Sequence, residues 1–156
     1  LMQGPDGKFQ EAGGAAGVAS VATSRGAALA DFNLDGLLDL VVVNRWENAQ
    51  LYRNASGSAG SWIQVKPQQP APNVDAIGAW LEVKRGDTVM RREITVGGGH
   101  ASGQSGWWHF GLGDAASAEL RVIWPDGSLG DWQRVDGNGF YILERGKPGA
   151  AAWSPE

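Results

Sequence analysis

The sequence predicts an all-β protein, and three observations carry that prediction. Short apolar runs recur throughout the 156 residues, and several alternate with polar ones, as Leu81 and Val83 do with Glu82 and Lys84. A two-residue period of this kind marks a half-buried strand. The 24 glycines fall between these runs with no three-residue period, so they read as turns and not as collagen. Helical periodicity, by contrast, is nearly absent.

The one stretch that could make a helix, Gln10 to Val18, is broken by Gly13 and Gly14, each disfavouring helix by about 1 kcal/mol relative to Ala. After it the predicted strands come in order. Ala27 to Ala30 leads into an acidic loop and Leu38 to Val43 leads out of it; Gln50 to Arg53, Trp62 to Lys66, Ala79 to Lys84 and Val89 to Val96 follow. Trp107 to Phe110, Glu119 to Trp124, Leu129 to Val135 and Phe140 to Glu144 complete the set. Arg85-Gly-Asp87, Pro125-Asp-Gly127 and Asp136-Gly-Asn-Gly139 supply turn residues between them. Pro67-Gln-Gln-Pro-Ala-Pro72 reads as a loop, because proline cannot donate to a central ladder. The spacing favours antiparallel pairing over βαβ units.

Composition narrows the function classes. A net charge of −4 with scattered Lys and Arg argues against nucleic-acid binding. No apolar run approaches the roughly 20 residues that a membrane span needs. The start, Leu1-Met-Gln-Gly-Pro-Asp-Gly7, has neither a basic segment nor an apolar signal core. A chain that begins at Leu is expected to be processed or cut from a longer one. With no cysteine, disulfides, zinc thiolates and thiol nucleophiles are all excluded. Eight tryptophans supply core surface: Trp62, Trp80 and Trp124 sit within strand patterns and are expected inside, whereas Trp46, Trp107, Trp108 and Trp132 sit at strand ends or beside glycine loops.

The acidic loop Asp31-Phe-Asn-Leu-Asp-Gly-Leu-Leu-Asp39 carries the sharpest chemistry. Asp31, Asn33, Asp35 and Asp39 occupy its positions 1, 3, 5 and 9, with Gly36 at position 6. Alternate residues of a tight turn can aim oxygens at one centre, the glycine permits the bend, and the Leu37 carbonyl can add another oxygen. Three carboxylates and an amide suit Ca2+, a hard cation with oxygen ligands, better than Mg2+, which keeps its own waters. Position 12 is Val42, not the glutamate of an EF-hand, and the flanks are strand-like. The bland alternative is a solvated Asp/Asn/Gly turn.

Gly7-Lys-Phe9, Ala16-Gly-Val18, Arg25-Gly26, the run Asp31 to Asn44 and Leu51-Tyr-Arg-Asn54 together resemble an FG-GAP/VCBS repeat, a β-propeller blade unit whose acidic loop binds calcium. Ala76-Ile-Gly-Ala79, Gly97-Gly-Gly99, Ser102, His109-Phe-Gly-Leu-Gly113 and Trp124-Pro-Asp-Gly127 resemble the ASPIC/UnbV domain of the cartilage acidic protein-like family. The resemblance implies a blade-like calcium-binding repeat at residues 1–57, an antiparallel β-sandwich at 58–146 and a C-terminal tail at 147–156. It implies calcium ligands at Asp31, Asn33, Asp35 and Asp39, an extracellular, cell-surface or periplasmic location, and a role in adhesion or assembly. His100 departs from the aromatic residue usual after the family's glycine-rich turn. A lone blade leaves edges uncovered, so a protein partner or a second copy, in a fibre or ring, is expected to cover them.

No enzyme constellation is present. Ser102, Ser105, His100 and His109 lie close in sequence, but no Gly-x-Ser-x-Gly exists, and Gly97-Gly-Gly99 lacks the helix and Lys of a phosphate cradle. Arg85-Gly86-Asp87 matches an integrin-recognition tripeptide but also makes an ordinary hairpin turn. Asn54-Ala-Ser56 is a glycosylation sequon. The alternative function is carbohydrate binding, with Trp107, Trp108 and His100 stacking on or bonding to a glycan.

Overall fold

The computed structural model describes residues 1–57, 60–100, 102–103 and 105–155. Thirteen strands and no helix occur among them, so the all-β expectation is met. Strands β1 (Met2–Gln3) and β2 (Phe9–Gln10) form a small hairpin. The candidate helix after them is a turn, in which the Val18 and Ala19 amides both donate to the Gly13 carbonyl.

Strands β3 (Ser24–Ala30), β4 (Asp39–Asn44) and β5 (Gln50–Tyr52) make a three-stranded antiparallel sheet. The last β3–β4 pair is Ala30 with Asp39, so the acidic loop is the connection that this ladder closes. Apolar side chains of this sheet stay at the surface: Leu29, Val43 and Leu51 are 45%, 51% and 62% exposed.

The remaining strands build two four-stranded sheets. β6 (Ser61–Gln68), β9 (Trp108–Gly113), β12 (Gly139–Glu144) and β13 (Ala151–Trp153) pair in the order β13-β12-β6-β9. β7 (Trp80–Arg85), β8 (Thr88–Glu93), β10 (Ser117–Ile123) and β11 (Gln133–Asp136) pair in the order β11-β10-β7-β8. Alternation decides what each sheet buries. Ile63 and Val65 of β6 and Phe110 and Leu112 of β9 meet Leu81 and Val83 of β7 and Leu120 and Val122 of β10 in one core. Each such aliphatic side chain contributes roughly 1.5–3 kcal/mol on burial.

Several sequence expectations need correction. Pairing is antiparallel throughout except between β6 and β12, which run parallel; these strands are far apart in sequence, so no hairpin constrains their direction. β6 continues through Pro67 and Gln68, where a loop was expected. Pro67 lies beyond Val65, the last residue paired with β9, so its missing N–H leaves that ladder intact. Trp80 faces outward at 39% exposed because Leu81 and Val83 take the inward positions of β7. The expected tail 147–156 contains β13, which pairs with β12. The boundary expected at 57/58 falls between β5 and β6, with 58 and 59 outside the described residues.

Candidate functional site

The acidic loop is wrapped around its own carboxylates. Asp31 accepts from the Asp35 amide at 3.0 Å and from the Gly36 amide at 2.8 Å, and Asp35 accepts from the Leu37 amide at 2.9 Å. Turning the chain this tightly requires left-handed backbone at Gly36 (φ 88°) and, unusually for a leucine, at Leu34 (φ 61°). A non-glycine residue held there stores about 1 kcal/mol or more of strain, which the surrounding bonds must offset.

Asp39, only 2% exposed, ties the loop to the sheet. One of its oxygens accepts from the Phe32 amide at 3.0 Å, and the other accepts from the Asn54 amide at 2.7 Å, just after β5. Asn33 donates its amide to Asp35 at 2.7 Å. The Leu37 amide and Asn33 hold the Asp35 carboxyl below the ordinary aspartate value, with Arg53 adding to the effect at 4.0 Å. Among the described residues no three His, Cys, Asp or Glu side chains gather as a metal cluster; backbone and side-chain N–H groups surround the oxygens instead.

The loop does not stand alone. It rests on the outer face of the β13-β12-β6-β9 sheet, on side chains that point away from the core. Gln64 of β6, 2% exposed, donates to Asp31 at 2.6 Å. His109 of β9, directly opposite Gln64 in the ladder, donates through Nε2 to the Gly36 carbonyl at 2.9 Å. Burial pushes the His109 imidazole below its ordinary pKa, over the opposing pull of the Gly36 bond. Trp62 stacks on His109 with centroids 6.2 Å apart and lies against Gly36 so closely that a Cβ there would sit 1.9 Å from the indole. Glycine at 36 is therefore required twice, by its φ and by the tryptophan.

Trp62, Gln64 and His109 were not singled out as partners of the loop in the sequence. The usable signal was the alternation of β6, which aims Trp62, Gln64 and Lys66 to one side and Ile63 and Val65 to the other. Asp31, Asn33, Asp35 and Leu37 lie in the loop between β3 and β4 and Asp39 is the first residue of β4, but their carboxylates are not drawn together as a metal cluster among the described residues.

Packing takes up the tryptophans expected to bind a glycan. Trp108 is 8% exposed in the core, and Trp107 is half-buried among Phe140 and Trp153 at centroid distances of 5.2 and 5.1 Å. His100 is exposed in the loop before β9. Ser102 donates its hydroxyl to the Gly98 carbonyl, and His109 bonds Gly36, so the two are committed to different partners. Asn54 of the sequon donates its side-chain amide to the Leu38 carbonyl at 3.2 Å. Arg85-Gly86-Asp87 forms the β7–β8 hairpin turn, with Gly86 at φ 55°. No helix among the described residues is long and apolar enough to cross a membrane.

Comparison with known proteins agrees with the second half of the chain. Over 109 residues it is 32% identical to Cartilage acidic protein 1 of Xenopus tropicalis and 31% identical to that of Mus musculus, covering 67% of this chain in both cases. Over 124 residues it is 30% identical to the Homo sapiens protein, covering 76%. The matches take in only 16%, 17% and 18% of those relatives, so the chain spans less than a fifth of their length. Residues 69–150, more than half of the chain, match the model described as ASPIC and UnbV. These residues include β7 to β12 and the core they share with β6, and on that match the chain belongs to the ASPIC and UnbV family.

Proposed function

We propose that the chain is a non-enzymatic, calcium-stabilised extracellular adhesion or assembly module. In this reading the three-stranded sheet is a blade-like FG-GAP/VCBS repeat, and the two four-stranded sheets are an ASPIC/UnbV-like sandwich. The observation that carries it is the double engagement of the acidic loop. The same turn that closes β3 onto β4 also seats the repeat on the second unit, through Asp31 with Gln64 and Gly36 with His109.

The donor chemistry fits calcium. Asp31, Asn33, Asp35, Asp39 and the Leu37 carbonyl would hold the ion with oxygen alone. Each carboxylate oxygen that accepts a single N–H keeps a further lone-pair direction for a cation. A bound ion would supply the positive charge that draws these carboxylates together. The chain's own residues do the rest: Gly36 and Leu34 set the bend, Asp39 anchors it to β5, and Gln64 and His109 fix its seat. The resemblance to the cartilage acidic proteins supports the extracellular placement. Leu29, Val43 and Leu51 on the repeat support a further protein partner or a second copy as its cover. Glycan binding through Trp107 and Trp108 is disfavoured by their packing, and Ser102 and His109 are bonded to different partners.

A thermal melt with calcium and then with excess chelator, repeated on Asp35→Ala, tests the reading. Chelator should lower the melting temperature of the parent and leave the variant unchanged. An identical melt in both conditions, with no calcium found by metal analysis, would reduce the loop to a self-bonded turn.

A further inference from the structure

The hairpin that joins β4 to β5 holds an aromatic side chain out in solvent. Trp46 is 82% exposed and stands in left-handed backbone at φ 66°, an outlier for so bulky a residue. The tip around it is held firmly. Asn44, buried at the end of β4, donates its side-chain amide to the Asn48 carbonyl at 3.0 Å and to Gln50 at 3.2 Å, and accepts from the Ser24 hydroxyl at 2.9 Å. The Arg45 amide donates to the Thr23 carbonyl at 2.9 Å, and its guanidinium lies 4.0 Å from the centre of the Trp46 ring. Backbone strain that places a side chain in water adds nothing to the fold, so its use lies in a contact that the tip makes. Arg25, in the bulge beside Ser24, and Arg45 set two cations against Glu47 at this end of the sheet, and none of the three is ion-paired among the described residues.

A cleft of matching character opens at one end of the two four-stranded sheets. β11 pairs with β10 only as far as Leu120, and β13 pairs with β12 only as far as Ile142. Neither outer strand reaches Val122 or Leu143, and a hollow of about 560 Å³ remains beside them, within the size range of small-ligand sites. Val122, Trp124 and Leu143, all buried, form its apolar inner wall, while Leu129, Asp131 and Gln133 stand at its mouth. Among the described residues none of the first 57 lines it, so the chain's own tryptophan tip does not fill it. Arg145 is engaged by Asp126 and Lys147 by Glu144, and Asp131 has no ion pair among the described residues, so three carboxylates stand against two cations around the cleft.

We propose that the Trp46 tip of one copy of this chain seats in the cleft of the next, with the indole against Val122, Trp124 and Leu143 and the Arg45 guanidinium toward Asp131. Tryptophan and arginine presented rigidly to an apolar pocket are the usual anchors of protein contacts. The cleft exceeds the volume of an indole, Gln133 at its mouth can accept the indole N–H, and the surplus cation of the tip meets the surplus carboxylate of the cleft. Tip and cleft are different patches, so the contact is head-to-tail and continues from copy to copy into a ring or a fibre. The proposal rests on the assembly reading given above, for which it names the partner and both surfaces, and it does not depend on calcium.

Light scattering of the full chain over a concentration series, with the melt of each variant recorded beside it, tests the contact. The mass should rise above that of the monomer as concentration increases. Trp46→Gly suits left-handed backbone, so it should melt no lower than the parent while weakening association at least about 10-fold. Asp131→Arg should weaken it about 5-fold or more, whereas Val89→Ala, at an exposed position of β8 that lines neither surface, should leave it unchanged. An equimolar mixture of the Trp46→Gly and Asp131→Arg chains should form dimers and stop there, because the first keeps an intact cleft and the second an intact tip. A monomer at every concentration overturns the proposal. Association that survives Trp46→Gly overturns this contact and leaves assembly to another surface, and a mixture that stays monomeric overturns the head-to-tail arrangement.

Discussion

Gly36→Ala probes the seat of the acidic loop without touching a single candidate ligand. Two costs add at this position. Alanine in left-handed backbone, φ 88° here, costs about 1–2 kcal/mol. The added methyl would also lie 1.9 Å from the Trp62 ring, where no side chain can remain, so the indole must leave its place against His109 and Phe140. Forcing a packed aromatic aside costs about 1–3 kcal/mol more, giving about 2–5 kcal/mol in total. Gly127→Ala is the matched control, since its φ is 83° but nothing lies within 4 Å of a built Cβ. It should show the backbone cost alone. Urea titrations of both variants, with and without Trp62→Ala, isolate the clash, because removing the indole should bring Gly36→Ala close to Gly127→Ala. If Gly36→Ala is no more destabilising than Gly127→Ala in the parent background, the loop does not sit on Trp62 and the proposed seat is wrong.

Two further outcomes follow from groups near or opposite that seat. Gln64→Glu places a second carboxylate where the Gln64 amide now donates to Asp31 at 2.6 Å; the loss of the bond and the buried repulsion should cost about 2–4 kcal/mol, read as a shift in the urea midpoint. Gln64→Ala should cost less, and a larger loss from alanine than from glutamate would contradict the bond. For Glu82, burial pushes the carboxyl up, but the bonds from Arg91 and Arg121 more than reverse this and leave it lowered. The unfolded chain then binds the proton more readily, so the stabilisation is fully present above the unfolded value of about 4.3. It is lost as pH falls through the folded value. The melting temperature should therefore drop as pH falls below about 4.3 toward the folded value, and drop less steeply in Glu82→Gln; equal slopes would show that Glu82 is not the group responsible.

The all-β class, most strand positions and the acidic loop were legible in the sequence because they depend on neighbours along the chain. Alternation at Leu81 and Val83 reports a buried face, and Asp31, Asn33, Asp35, Gly36 and Asp39 describe a turn whose bonds are nearly all local. Trp80 lies outward, as the period of its own strand assigns it, although its residue type favours the core. Other features were not written locally. The parallel pairing of β6 with β12 joins residues some 76 positions apart, as Ile63 with Gly139. Pro67 is tolerated only because β9 ends before reaching it. The tail became a strand because β12 offered an edge and Trp107 with Phe140 offered a surface for Trp153.

The same division holds for function. The sequence by itself determined that an oxygen-rich turn stands between two strands. Only the tertiary structure decided that this turn rests on Trp62, Gln64 and His109, and that Glu82 lies sealed beneath two arginines on the far sheet. The physical reason is that a strand's period fixes which side a residue faces, while what waits on that side is set by chain segments that only folding brings there.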